Sequence, residues 1–480
     1  MSNATAVFLA VFAPTLGAFL LPLVGRSSLR LRNALAFVLI AVSLVCSLAL
    51  VPSVVSGKTT TVLVPFAVPL HLSFTADALA VFVAIVSSLI SAIVVLYSTS
   101  YISHYKYQNE YYLMVVLFLG AMMGLVYSAN LILLYVFWEI TAIASWRLIG
   151  FFREKDHVVK ADKAFLVTVF GSVAMLIGFI SIYAQIGSFD MATIKARLGG
   201  PLPDFVVALI LVGILSKSAT FPFHTWLPDA GVAPSPVTAL LHAAVLVKIG
   251  VYVFARLFIV TFGITQSWDT IVLVIAAASA LVSAGAALIE TDLKRIIAYS
   301  TVSQIAFIFL GFASGSEVGI AGALLYILMH GIAKGGLFLC AGIIEQNTGT
   351  RDIRQLGGLI KTMPITAVSF LFCAFSVMGI PPFGGFFGKY MVISGAVQGG
   401  QLAIALTFVV GAFLTILYLF RLFNRVFMGE AGAAPAKEGA PVMVASVAVL
   451  AALALASGIF VSWPAQFALS AVHQMLGVVR

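Results

Sequence analysis

The chain has 480 residues, of which 62% are hydrophobic and 9% charged, against roughly a quarter charged in soluble domains. Water is therefore excluded as the solvent for most of its surface, and the structural unit becomes a run of ~20 apolar residues that can span a bilayer. The formal charge of +9 calls for no nucleic-acid partner, because the Lys and Arg sit in short turns between apolar runs rather than on one helix face.

About 14 apolar runs follow in chain order, near 5–25, 33–52, 76–101, 111–128, 130–151, 161–187, 204–222, 235–263, 267–289, 296–313, 317–344, 363–393, 400–420 and 441–462. They predict an all-α polytopic membrane protein with short loops. The first run starts almost at Met1 without a basic leader, so it reads as a first span rather than a cleaved signal peptide. If the first residues face outward, alternate loops hold roughly 16 Lys and Arg inside and about 4 outside, the outer ones being Lys58, Lys195, Arg197 and Arg480. That asymmetry orients the chain in a cell inner (plasma) membrane with both termini outside. Cys46, Cys340 and Cys373 are isolated in apolar runs and have no metal-ligand spacing, so no metal site is expected.

Two spans are broken from within. The seventh reads Leu-Ser-Lys217-Ser-Ala-Thr-Phe-Pro222, where proline removes a backbone donor and should unwind the helix just past Lys217. In the twelfth, Pro381 and Pro382 break the helix, and Gly384, Gly385 and Gly388 lower its helical preference before Lys389. Paired interruptions of this kind are the sequence mark of inverted repeats. They divide the chain into N-terminal helices 1–3 (1–102), a first repeat of helices 4–8 (103–263), a second repeat of helices 9–13 (264–428), and a loop with helix 14 (429–480).

Within the spans lie Glu139, Arg147, Lys217, His242, Lys248, Arg256, His330, Lys334 and Lys389. A charge at the bilayer centre costs on the order of 3 kcal/mol or more, so these residues face protein or water and are candidates for ion transfer. A Glu139–Lys217 pair would act as a switch, since each charge sets the other's proton affinity. Buried lysine suits a proton carrier in a way that arginine does not. His330 and Lys334, four apart, share one helix face and are expected to share a water. His242 and Lys248, six apart, lie about 120° off one face on an α-helix, and each is a relay candidate. Arg256 reads as a snorkelling anchor near the outer end and Arg147 as an inner anchor. The segment His224–Asp229 reads as a capped interfacial turn, and Glu290, Asp292, Lys294 and Arg295 as a solvated helix cap.

The runs Phe-Trp-Glu139-Ile-Thr, Ser-Lys217-Ser-Ala-Thr-Phe-Pro-Phe-His-Thr-Trp-Leu-Pro-Asp-Ala, Ala-Pro-Ser-Pro-Val-Thr-Ala-Leu-Leu-His242 and Gly-Ile-Pro-Pro-Phe-Gly-Gly-Phe-Phe-Gly-Lys389 resemble the antiporter-like membrane subunits. That superfamily includes respiratory complex I, energy-converting hydrogenases and Mrp antiporters. Tyr-Ser-Thr-Ser-Tyr at 97–101 and Ala-Met-Met-Gly-Leu-Val at 121–126 look most like hydrogenase-4 type D subunits, and Thr-Gly-Thr-Arg351-Asp352-Ile-Arg354 more like the Mrp A subunit. The resemblance implies two inverted five-helix repeats and a hydrated polar axis. In it Glu139 is the switch acid, Lys217 its partner, Lys334 the central lysine, Lys389 the terminal lysine, and His242 and His330 relay histidines. Ser172 stands where some relatives carry a second acid, and Arg147 where the family is usually apolar.

No cofactor is implied for the chain itself, and no redox chemistry within it. The leading expectation is a proton-translocating subunit of a respiratory or hydrogenase-like complex, partnered by other membrane subunits and through them by a soluble redox arm. One alternative is an Mrp-type Na+/H+ antiporter subunit. Another is a proton-coupled accessory subunit driving inorganic-carbon uptake. A cytochrome with His242 and His330 as haem ligands is disfavoured by the lysines beside them.

Overall fold

The computed structural model describes residues 1–64, 72–430 and 437–478; Arg480, one of the four basic residues assigned to the outer side, lies outside them. Among the described residues the longer helices are α1 (Asn3–Ser27), α2 (Leu29–Val55), α3 (Ala78–Tyr101), α4 (Gln108–Tyr127), α5 (Leu131–Ile149), α6 (Lys155–Ile186), α7 (Asp204–Lys217) and α8 (Ser235–Thr261). They continue as α9 (Gln266–Ile289), α10 (Leu293–Phe312), α11 (Glu317–Thr348), α12 (Pro364–Met378), α13 (Gly384–Gln398), α14 (Leu402–Phe427), α15 (Pro441–Ile459) and α16 (Ser462–Leu476). Among the described residues, twelve helices are long and apolar enough to cross a membrane. The two expected broken spans are present as short pieces, α7 alone and α12 followed by α13. The protein is an all-α multi-pass membrane protein, as its apolar runs required.

Burial sorts the helices into two classes. The strongest candidate spans of α11, α10 and α8 are 94%, 89% and 89% buried, whereas those of α2, α6, α14 and α15 are 33%, 39%, 33% and 39% buried. The first group forms the centre. The second turns faces such as Leu166, Phe170, Val173, Ile177 and Ile180 of α6 outward, as a lipid-facing helix does.

Both breaks close in the same way. After α7, Ala219 adopts a left-handed φ of 51° and the Thr220 amide donates to the Leu215 carbonyl at 3.0 Å. After α12, Gly379 has φ 82° and the Ile380 amide donates to the Phe375 carbonyl at 3.0 Å. These bonds satisfy the last carbonyls of each half-helix. The glycines of the second break act differently from expectation. α13 runs through Gly384, Gly385 and Gly388 without interruption, and a Cβ on Gly385 would stand 1.8 Å from the Ser376 carbonyl oxygen. Their role is close approach of backbones rather than weakening of the helix.

Three features were absent from the expected plan. Thr60–Val64 and Leu72–Ala76 pair antiparallel in register Thr60 to Ala76, the first strand favoured by its β-branched Thr60, Thr61, Val62 and Val64. α16 follows α15 and buries Ala468, Ala471, Val472 and Met475. α8 contains two wide turns, in which the Val245 amide reaches the Leu240 carbonyl at 2.9 Å and the Phe262 amide the Leu257 carbonyl at 2.7 Å. Each closes a five-residue step, so the angle expected between His242 and Lys248 for a regular α-helix does not apply.

Candidate functional site

The predicted residues converge in the interior, where Lys217 and Lys334 are 0% exposed, Lys248 1% and Lys389 4%. Each lysine rests on neutral groups. Lys217 Nζ donates to the Trp138 carbonyl of α5 at 3.1 Å and lies 5.2 Å from the centre of the Trp138 ring. Lys334 Nζ donates to the Ile297 carbonyl of α10 at 3.0 Å and to Ser300 Oγ at 2.6 Å. Lys389 Nζ donates to the Val377 carbonyl at 2.7 Å, one of the last carbonyls of α12. That carbonyl end carries partial negative charge, so the break that frees it also makes a seat for a cation.

Two expected pairings are revised. His330 does not turn to Lys334; its Nδ1 lies 2.5 Å from Lys248 Nζ of α8, while Lys334 points to α10. Helical spacing put His330 and Lys334 on one face, but the neighbouring helices divide that face between them. Glu139 and Lys217 do not form an ion pair within 4 Å among the described residues, and the buried Glu139 Oε1 has no hydrogen-bond partner there. Lys217 instead bonds the carbonyl of the adjacent residue, Trp138. Both His242 nitrogens and His330 Nε2 are likewise buried without a protein partner among the described residues. His242 packs against the Phe338 ring at 4.4 Å between centroids.

Sequence reasoning missed the group that connects Lys334 with the surroundings of Lys389. Ser300 Oγ also accepts from the Tyr418 hydroxyl at 2.8 Å. Gln304 Nε2 donates to Thr415 Oγ1 at 3.2 Å and to the Tyr418 hydroxyl at 3.5 Å, and the Tyr326 hydroxyl donates to Gln304 Oε1 at 2.6 Å. Lys389 Nζ sits 4.6 Å from the Phe307 ring centre and 5.9 Å from that of Tyr326. The signal available in sequence was a buried glutamine in the apolar run of α10.

At the helix ends many of the charges are paired. Arg147 bonds Glu110, which also meets Arg153 at 2.6 Å, consistent with an anchor. Arg256 is not a snorkelling residue: it is 6% exposed, and its two terminal nitrogens bond Asp77 at 2.5 and 2.7 Å. Asp77 also accepts from the Ala80 amide at 2.9 Å as the N-cap of α3.

The segment His224–Asp229 is a short folded turn, with Trp226 Nε1 bonded to the Ser216 carbonyl at 3.0 Å. Asp229 meets Lys163 at 2.7 Å and Arg295 at 2.6 Å. Burial pushes the Asp229 carboxyl up, and the hydrogen bonds from Lys163 and Arg295 outweigh it and hold the group below its ordinary value. The expected solvated cap at 290–295 is only partly solvated, because Lys294 is 1% exposed and bonds Glu345 at 2.7 Å.

A multi-pass helical bundle with two broken helices and an interior row of lysines and histidines defines a class of membrane protein built around buried charge. The chain belongs to the NADH:quinone oxidoreductase/Mrp antiporter transmembrane family, whose model matches residues 128–415. It is 36% identical over 400 residues to the A1 subunit of the Na(+)/H(+) antiporter of Staphylococcus saprophyticus, covering 77% of this chain and 50% of the relative. With the A subunit of the Na(+)/H(+) antiporter of Alkalihalophilus pseudofirmus it shares 35% identity over 460 residues, 89% of this chain and 57% of the relative. The chain thus spans about half the length of these relatives.

Among solved structures, the Mrp complex of Dietzia sp. DQ12-45-1b aligns with a TM-score of 0.92 at 26% identity, covering 99% of this chain and 98% of that one. Respiratory complex I of Thermus thermophilus aligns with a TM-score of 0.85 at 25% identity, over 98% and 100% of the two chains. The names of the two antiporter relatives agree with the resemblance carried by the stretch around Arg351.

Proposed function

We propose that this chain is the antiporter-like subunit of an Mrp-type Na+/H+ antiporter and moves protons along Glu139, Lys217, His242, Lys248, His330, Lys334 and Lys389. This reverses the order of the two leading expectations, and the names of the relatives support the reversal. The observation that carries the proton path is that Lys217, Lys248, Lys334 and Lys389 are buried on carbonyls, a hydroxyl and an imidazole, with no carboxylate within 4 Å among the described residues.

A buried lysine with no anionic partner gives up its proton without stranding a buried carboxylate, the penalty that makes broken buried pairs costly. Histidine between lysines exchanges protons through either ring nitrogen. Glu139, unpaired and near Lys217, supplies the charge whose approach or withdrawal sets the proton affinity of Lys217. Moving one charge against 100 mV takes about 2.3 kcal/mol, the equivalent of a swing of less than two pKa units on one group.

Two five-helix repeats, at 103–263 and 264–428, would supply the two broken helices, and other membrane subunits would complete the assembly. The cell inner membrane, with both termini outside, fits the loop charges. In inverted membrane vesicles containing the assembled complex, Na+ addition should dissipate an imposed pH gradient with no electron donor present. Proton movement that instead requires an electron donor and ignores Na+ would favour the redox-driven reading.

A further inference from the structure

The pair of the buried Lys294 and the partly exposed Glu345 lies outside the row of lysines and histidines, yet it stands at the end of a seam that leads into it. On α11 the residues Lys334, Phe338, Gly342 and Glu345 follow at steps of four, four and three, so they share one face, and Glu345 lies roughly 16 Å along the helix from Lys334. That face packs on α8. Glu345 Oε2 is 3.3 Å from Ser235 Oγ. A Cβ on Gly342 would come within 2.6 Å of both Ser235 Cβ and the Tyr97 hydroxyl. Phe338 covers the His242 ring.

Glycine at 342 is what allows the backbone of α11 to reach this close to Ser235. The α8 side of the seam carries Ser235, Thr238 and His242 at steps of three and four. Glu345 has a side chain 27% exposed, while both nitrogens of His242 are buried without a protein partner among the described residues.

We propose that Glu345 is the group through which protons are taken up from the membrane face bearing Lys294, Arg295 and Arg351, and that it delivers them along the Ser235–Thr238 side of α8 to His242. The idea rests on the proton path assigned to the interior row. In the step, the Glu345 carboxylate takes a proton from hydronium, leaving water, and later gives it up to a chain of hydroxyls and water along the seam, each member gaining one proton as it passes another on, until an imidazole nitrogen of His242 receives one and Glu345 is again a carboxylate. Lys294 holds the carboxylate on the seam. Glu345 faces Lys294 of α10 at 2.7 Å, Arg351 at 3.7 Å, Ser235 of α8, and the phenols of Tyr97, Tyr101 and Tyr105 on and after α3. Arg351 is shared with Asp292 at 3.2 Å.

The test is Na+-driven proton exchange, across a pH series, in vesicles bearing the whole complex, with assembly checked by co-purification. Glu345→Gln should lower the exchange rate by about tenfold or more, the scale of losing one proton-transfer group, and Glu345→Asp should recover part of it. Lys294→Met should slow exchange less than Glu345→Gln does, since the carboxylate is still present to carry protons although it is no longer held on the seam. The double variant Glu345→Gln/Lys294→Met separates the roles. If Glu345 only neutralises Lys294, removing both restores exchange, and the proposal fails; if Glu345 carries protons, the double variant stays slow. Unchanged exchange in Glu345→Gln also overturns it. Lys334→Arg runs beside these variants: full exchange there condemns the proton path itself, whereas its loss together with normal Glu345→Gln condemns only the uptake site.

Discussion

The ends of the bundle and its interior row treat charge in opposite ways. Arg147, Arg153, Lys163, Arg256, Lys294, Arg295 and Arg351 each have a carboxylate within ion-pair distance, even where, as with Arg256 and Lys294, the cation is buried. In the interior, Lys217, Lys248, Lys334 and Lys389 have none among the described residues, and Glu139, next in sequence to the Trp138 that holds Lys217, makes no ion pair there. The difference is chemical. An arginine does not release its proton and is held by fixed partners, a carboxylate at the ends named above and the amide oxygens of Asn33, Gln108 and Asn109 around the buried Arg32, whereas a lysine on carbonyls and hydroxyls is stable enough in either protonation state to change between them. Fixed charge is used to hold the helices, and labile charge is kept in the row.

Variants can break this contrast. The largest structural effect is expected at the end pair Asp77–Arg256. Asp77→Asn leaves a buried guanidinium with weakened compensation and removes a charge-assisted bidentate contact, so thermal unfolding of the detergent-solubilised complex should show a loss of about 3–5 kcal/mol. A change as small as that of an exposed pair would remove the distinction drawn for buried ends.

Gly385→Ala should cost about 1–3 kcal/mol by overpacking, because its Cβ would meet the Ser376 carbonyl. By shifting the α12 carbonyls on which Lys389 rests, it should also slow exchange. Loss of stability with unchanged exchange would detach the break from the seat of Lys389.

Asp229→Asn is expected to be milder, since Asp229 is only partly buried and its partners Lys163 and Arg295 are solvent-accessible. The folded-state carboxyl is held below its ordinary value, so its stabilisation is present above the unfolded carboxylate pKa and is lost as pH falls through the folded one. The variant should therefore match the parent at low pH and fall behind it near neutrality. A deficit equal at all pH values would assign the effect to packing. The smallest effect belongs to Lys160→Ala, which breaks the exposed pair with Asp156 and should leave both stability and exchange unchanged.

Much of the interior row was legible from residues alone, for identifiable reasons. A lysine in an apolar run is visible as an expense, and Pro222, Pro381 and Pro382 mark breaks because proline's effect on a helix is local. Pairings were less legible. His330 and Lys334 share a face by spacing, yet Lys248 arrives from α8 and takes the histidine, an outcome that depends on how two helices are juxtaposed. Lys294 looked solvated because it follows Asp292 in a charged turn, and only the return of α11 brings Glu345 over it. The wide turns of α8 had no signal in apolar periodicity, and the paired strands Thr60–Val64 and Leu72–Ala76 were hidden by apolar content that the adjoining span shares.

The central claim is that the interior lysines matter as proton carriers rather than as positive charges. Lys334→Arg separates the two, because arginine keeps the charge but does not release its proton at physiological pH. In vesicles bearing the assembled complex, Na+-dependent proton exchange should be lost in Lys334→Arg as fully as in Lys334→Met. Exchange retained by the arginine variant and lost only in the methionine variant would contradict the account.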